Sequence, residues 1–236
     1  MFGPTVDPQP AGAEPTGIKG AIRVLEPDRS QRSIARRTAE TRATVPDLEL
    51  SRDVDIGAAL ELADRRGSSV TAVLVRACAL ALGGHPLANA AYRDGHYELY
   101  SRINIGVAIH VDGGYTTPTV LDADTKPLPQ LTRELETLSD KARAGTLTPP
   151  ELAGTTFTLT DHSDHRVDRW SVLTTPPQAA ALTAGSVRSA PVVRQGAVVP
   201  GQIIALTLAC DHRILFGSRA AAFLASVAER LELAKL

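Results

Sequence analysis

Residues 198 to 210 end in the run Ile-Ile-Ala-Leu-Thr-Leu-Ala-Cys and read as a strand. The strand runs directly into Asp211-His212-Arg213-Ile214. A helix follows from Gly217 to about residue 233, with Ala221, Leu224, Val227 and Leu231 expected inward. A second run, residues 103 to 109 with Gly106 inside it, is apolar without a break. That is the pattern of a strand covered on both faces. Such strands need a sheet flanked by other elements, so the chain must be a mixed α/β fold.

The other segments agree. Order is expected from about Ile22. Residues 30 to 41 read as a helix with Ser30 as N-cap and the pair Arg36-Arg37 on its surface. Residues 48 to 54 alternate Leu48, Leu50 and Val54 with polar partners, a strand pattern. Asp55 is expected to cap a short helix through residue 63. Residues 69 to 82 form a buried helix, ended by Gly83-Gly84. Residues 112 to 114 turn into a strand over 115 to 121. Residues 128 to 144 carry Leu131, Leu135, Leu138 and Ala142 on one helical face. Strands are expected at 155 to 160, 179 to 184 and 186 to 193, with Gly196 turning into the last one. There is no internal repeat. Residues 1 to 20, rich in Pro and Gly, are expected to be a flexible tail, and residues 21 to 236 one mixed α/β domain.

The bulk numbers narrow the function classes. The chain has 236 residues and a net charge of −1, which points to neither nucleic acid nor an anionic membrane as partner. No apolar run approaches the roughly 20 residues of a membrane span. Two cysteines make a disulfide framework improbable, and a cytoplasmic location is expected.

Histidine as a residue type has an unperturbed pKa suited to a general base near neutral pH, and this one stands between an apolar strand and a helix. His212 is therefore a candidate catalytic base. The plainer alternative is a histidine hydrogen-bonded at a strand end. In Asp161-His162-Ser163-Asp164-His165 the His-x-x-His spacing is too loose for a metal site, and no metal is expected. A polar loop that touches substrate or a neighbouring subunit fits better.

Five segments then appear in order: residues 33–41 (Ser-Ile-Ala-Arg-Arg-Thr-Ala-Glu-Thr), 103–109 (Ile-Asn-Ile-Gly-Val-Ala-Ile), 154–160 (Gly-Thr-Thr-Phe-Thr-Leu-Thr), 176–182 (Pro-Pro-Gln-Ala-Ala-Ala-Leu) and 206–213 (Leu-Thr-Leu-Ala-Cys-Asp-His-Arg). Together they resemble the catalytic domain of the dihydrolipoyl acyltransferases of 2-oxo acid dehydrogenase complexes, which belong to the chloramphenicol acetyltransferase-like superfamily. The resemblance covers the chain from about Ile22 to its end.

The resemblance implies a chloramphenicol acetyltransferase-like mixed sheet flanked by helices, assembled as a homotrimer with the site at a subunit boundary. It implies acyl-CoA as co-substrate and no permanently bound cofactor. It makes His212 the base and Thr160 the hydroxyl that stabilises the oxyanion, at the family's separation, 212 − 160 = 52 residues. Two departures stand out. Phe216 occupies a position where the family has Asp or Asn. The segment from Asp161 through His162 and His165 replaces a Gly-rich turn. Asp161, His162, His165 and Phe216 are accordingly the expected substrate contacts.

With these departures the leading expectation is a stand-alone enzyme of specialised metabolism. It would move an acyl group, acetyl by expectation, to the hydroxyl of a small-molecule or carrier-derived acceptor, such as a tetronate intermediate. Two other readings stay open: a dihydrolipoyl acyltransferase core acting on lipoamide, and a catalytically weak scaffold homologue.

Overall fold

The computed structural model describes residues 18, 20, 22–112, 114–163 and 165–236. Most of the expected tail, Gly113 of the expected turn, and Asp164 lie outside the described residues. Helix α1 (Arg29–Thr44) leads into strand β1 (Asp47–Asp55). Helices α2 (Gly57–Arg66) and α3 (Val70–Gly84) follow. Strands β2 (Ala90–Arg93) and β3 (His96–Leu99) form a small separate hairpin. Then come β4 (Ile105–Val111), β5 (Gly114–Thr116), β6 (Thr119–Val120) and α4 (Leu128–Arg143). The chain closes with β7 (Phe157–Asp161), β8 (Ala180–Ala184), β9 (Arg188–Arg194), β10 (Ala197–Asp211) and α5 (Gly217–Glu232).

The main sheet runs β1-β10-β8-β7-β4-β5, with β6 on β4 and β9 on β10. The β4–β7 and β7–β8 pairs are parallel and the others antiparallel. This is the mixed α/β sheet expected of the family. One face carries Phe157, Leu159, Leu182, Ile204, Leu206 and Leu208, all fully buried in one core with α3, α4 and α5. Each such side chain contributes about 1.5–3 kcal/mol relative to exposure.

The opposite face is polar along one row. Thr160, Thr183, Thr207 and Ser51 occupy paired positions on four adjacent strands. The Ser51 and Thr207 hydroxyls lie 2.9 Å apart. The segment after β7 crosses back over this face, and the Trp170 carbonyl accepts from Thr183 Oγ1 at 2.6 Å. The approach is close: a Cβ on Gly185 would sit 2.0 Å from the Asp168 carbonyl oxygen.

Several boundaries differ from the expectation. Asp28, not Ser30, caps α1, because it forms a capping box with Gln31 (2.8 and 2.9 Å). Ile56 holds the N-cap position of α2, while the Asp55 Oδ1 one residue earlier accepts the first helical N–H, that of Gly57, at 3.2 Å and its Oδ2 pairs with Arg194 at 2.7 Å. Gly83 and Gly84 lie inside α3, whose C-cap is His85. The strand expected over 115 to 121 is split into β5 and β6 by residues 117–118, where Pro118 has no N–H to donate to a ladder. Strand β7 starts at Phe157 rather than 155. On α5 it is Ala220 that is buried, while Ala221 is exposed.

Candidate functional site

His212 follows the last residue of β10 and is exposed. Its backbone N–H donates to the Pro46 carbonyl at 2.9 Å. The two residues flanking it form a bidentate ion pair. Arg213 Nε donates to Asp211 Oδ1 at 2.9 Å and Arg213 Nη2 to Asp211 Oδ2 at 2.6 Å. Asp211 is buried, and its Oδ1 also accepts the Arg213 backbone N–H at 3.0 Å. The carboxylate raises the Arg213 pKa above its ordinary value, chiefly through the hydrogen bond.

The hairpin of β2 and β3 leans on this turn. Tyr97 Oη donates to the Arg213 carbonyl at 2.7 Å, and the Arg213 guanidinium lies 4.5 Å over the Tyr92 ring. The sequence reading missed this hairpin. Its signal was present: Asp94-Gly95, both at positive φ (49° and 82°), is the two-residue turn that joins right-twisted strands.

Phe216 is the N-cap of α5 and makes no side-chain capping bond. Its half-exposed ring stands 6.1 Å from the His212 ring, edge to face at 69°, with Arg219 6.0 Å from its centre. His212 and Phe216 are thus neighbours. Cys210 lies two residues before the histidine, but burial pushes its thiol up to about 12, so it is a poor nucleophile at neutral pH.

Thr160, Asp161, His162 and His165 gather elsewhere, at the carboxyl end of β7. Thr160 is half-buried on the polar face of the sheet, between Ala108 and Thr183. Asp161 is the last residue of β7 rather than part of a loop, and it points to the helical side. Its Oδ2 accepts from Thr71 Oγ1 at 2.6 Å and its Oδ1 from the Ser163 N–H at 2.9 Å. The His162 N–H donates to the Ala184 carbonyl at 2.9 Å. The His162 ring lies 4.2 Å from Trp170 and 5.1 Å from His165. Asp161 and His165 line a crevice of about 590 Å³ between α3, α4 and the carboxyl ends of β4 and β7. Crevices at the carboxyl ends of parallel strands are common ligand sites. Among the described residues no three His, Cys, Asp or Glu side chains are arranged to hold a metal ion.

The two clusters stay apart within one chain. Thr160 pairs with Thr183 and Thr183 with Thr207, and His212 is 212 − 207 = 5 residues further along the chain, just past the end of β10. At about 3.4 Å per residue that is roughly 17 Å along the strand direction, beyond the joint reach of a histidine and a threonine side chain.

Most of the chain has relatives. Residues 20–236 match the model of the 2-oxoacid dehydrogenases acyltransferase catalytic domain. A dihydrolipoyllysine-residue acetyltransferase component of the pyruvate dehydrogenase complex from Zymomonas mobilis is 33% identical over 211 residues, 86% of this chain and 48% of that protein. The chloroplastic component 5 from Arabidopsis thaliana is 36% identical over 169 residues, 71% of this chain and 36% of that protein. The chain therefore spans about half the length, or less, of these curated relatives. Among solved structures, the Azotobacter vinelandii dihydrolipoamide acetyltransferase superposes with a TM-score of 0.84 at 24% identity, covering 97% of both chains. A chloramphenicol acetyltransferase follows at 0.57 and 18%, covering 83% of this chain and 94% of that one. At these identities the structures share the fold. Family membership rests on the match over residues 20–236: the chain belongs to the 2-oxoacid dehydrogenases acyltransferase family, through its catalytic domain.

Proposed function

We propose that this chain is the acyltransferase core of a dihydrolipoyl acyltransferase, moving an acyl group between coenzyme A and a dihydrolipoyl thiol. One observation carries the reading: the family match spans the described fold and includes the Asp211-His212-Arg213 turn. The curated relatives named above are acetyltransferase components of pyruvate dehydrogenase complexes, which favours a lipoyl thiol over the hydroxyl acceptor of specialised metabolism first expected. The A. vinelandii structure concerns the role of a serine, a histidine and an asparagine in catalysis, and their spacing is that of Thr160, His212 and Phe216 here.

In this reading His212 takes the proton of the acceptor thiol. The thiolate attacks the thioester carbonyl of acyl-CoA, and the new C–S bond leaves a tetrahedral oxyanion. Thr160 Oγ1 donates to that oxygen, a contact commonly worth about 2.7–4 kcal/mol. The oxyanion collapses, the C–S bond to coenzyme A breaks, and the imidazolium returns its proton to the departing thiolate. Because Thr160 and His212 stand roughly 17 Å apart along the sheet of one chain, each site takes its histidine from one copy and its threonine from the next. A cyclic assembly closes such a head-to-tail contact, and a trimer is the expected form.

The test is acetyl-CoA turnover with dihydrolipoamide and with a panel of small hydroxyl acceptors. Coenzyme A release that depends on dihydrolipoamide and falls at least 100-fold in His212→Ala is the expected result. Turnover only with a hydroxyl acceptor would return the small-molecule reading, for which the crevice beside Asp161 and His165 offers a ligand-sized space. No turnover with any acceptor would favour a scaffold.

A further inference from the structure

The residue four positions beyond His212 offers it only a phenyl edge. Phe216 accepts no hydrogen bond, so its ring at 6.1 Å does not fix the imidazole. The backbone around the histidine is pinned instead, at three successive points. The His212 N–H is held by the Pro46 carbonyl, the Arg213 N–H by Asp211 Oδ1, and the Arg213 carbonyl by Tyr97 Oη. The first two anchors lie on β1's approach and on the turn itself. The third comes from a separate hairpin, which also places the Tyr92 ring under the Arg213 guanidinium at 4.5 Å. Tyr92 and Tyr97 are a cross-strand pair with rings 6.1 Å apart. The hairpin is in turn fixed to the sheet: Ala179 N–H donates to the Ala90 carbonyl, and Asp211 N–H donates to the Ala179 carbonyl (2.8 and 2.9 Å). Hairpin, sheet and catalytic turn therefore form one closed loop of contacts.

We propose that the β2–β3 hairpin, through Tyr97 and Tyr92, is the positioning device for His212. Tyr97 is a positioning residue: it touches the backbone beyond the histidine and not the reacting atoms. Its hydroxyl holds the Arg213 carbonyl, which fixes the Arg213–Ile214 peptide, one residue beyond His212, and so limits how the backbone leaves the histidine. Tyr92 holds the Arg213 side chain flat, so that the ion pair with Asp211 keeps one geometry. Small errors in the placement of a base lower the rate steeply while leaving substrate binding intact. This inference rests on the acyltransferase reading for its rate effect, but its structural half does not.

The experiment uses the full chain and two substitutions, Tyr97→Phe and Tyr92→Leu. Tyr97→Phe removes one oxygen atom from a residue that is 44% exposed, so the fold is expected to hold, with the melting temperature within a few degrees of wild type. With acetyl-CoA and dihydrolipoamide, kcat is expected to fall about 10-fold with KM within about 2-fold, and Tyr92→Leu is expected to fall in the same direction. In parallel, nitrogen-15 NMR of the His212 imidazole reads its tautomer and pKa without turnover. A change in the His212 signals in Tyr97→Phe, with the other histidines unmoved, is the expected result. Unchanged His212 signals together with wild-type kcat would overturn the proposal. If the wild type transfers no acyl group, the acyltransferase reading fails, and the NMR comparison still decides whether the hairpin holds the histidine.

Discussion

Thr160 lies within the main sheet, and His212 lies just beyond the end of another of its strands, at a different level. Thr160 shares a register row with Thr183 and Thr207, and His212 follows five residues later, beyond the end of β10. The proposed site, which uses both residues, is accordingly one shared between two copies of the chain.

Mixed assemblies give a direct measurement of that arrangement. His212→Ala and Thr160→Ala are each expected to lose about 100-fold or more in kcat. When the two are unfolded together, mixed in equal amounts and refolded, about one site in four pairs an intact histidine with an intact threonine in a cyclic assembly. Activity is expected to return to roughly a quarter of wild type. Failure to recover any activity would place both residues in one subunit's site or remove one of them from catalysis.

Phe216 occupies the N-cap of α5 in an extended conformation (φ −74°, ψ 158°) without a capping bond. Phe216→Asp is expected to stabilise the chain by about 1 kcal/mol, because a carboxylate there can accept a first-turn N–H. The melting temperature should rise by a few degrees, and activity should hold or increase. Collapse of activity would give the ring a substrate role of its own.

Gly185 faces the strap that crosses the polar side of the sheet. Gly185→Ala puts a methyl group 2.0 Å from the Asp168 carbonyl oxygen, so the strap must move. A loss of about 2 kcal/mol or more is expected by urea unfolding. Faster proteolysis within residues 165–175 would locate the damage.

Glu151 answers to pH. The hydrogen bond from Lys141, and then those from the Thr148 backbone N–H and hydroxyl, hold its pKa down to about 2. The folded value lies below the ordinary 4.5 of the unfolded chain. The contribution is therefore complete above pH 4.5 and fades as the pH falls through that window to about 2. Glu151→Gln should lower stability at pH 7 and flatten its acid dependence over that range. An unchanged acid profile in chemical denaturation would remove Glu151 from it.

Cys78 and Cys210 are both buried, and desolvation pushes each thiol up to about 12. Neither should react with a thiol reagent at pH 8 in the native protein, and both should react after unfolding. Prompt labelling of Cys210 in the native chain would mean that the end of β10 opens, and of Cys78 that α3 does.

Local pattern determined much of this protein. The apolar run at 103–109 made β4 legible as a buried strand, because burial on both faces needs no alternation, and the apolar residues before Asp211 marked β10. Leu131, Leu135, Leu138 and Ala142 marked the buried face of α4 through helical spacing alone, and all four are buried. The Asp-His-Arg turn and the order of five segments were enough to identify the family. What the tertiary structure decided is where those residues stand relative to one another. Strand register separates Thr160 from His212, and register is a property of paired strands rather than of either segment. The side of the sheet taken by Asp161 follows from pleating once β7 is aligned with β4 and β8. The clamp on His212 joins residues 46, 97, 211 and 213, which are distant in sequence and meet only because the hairpin packs on the end of the sheet.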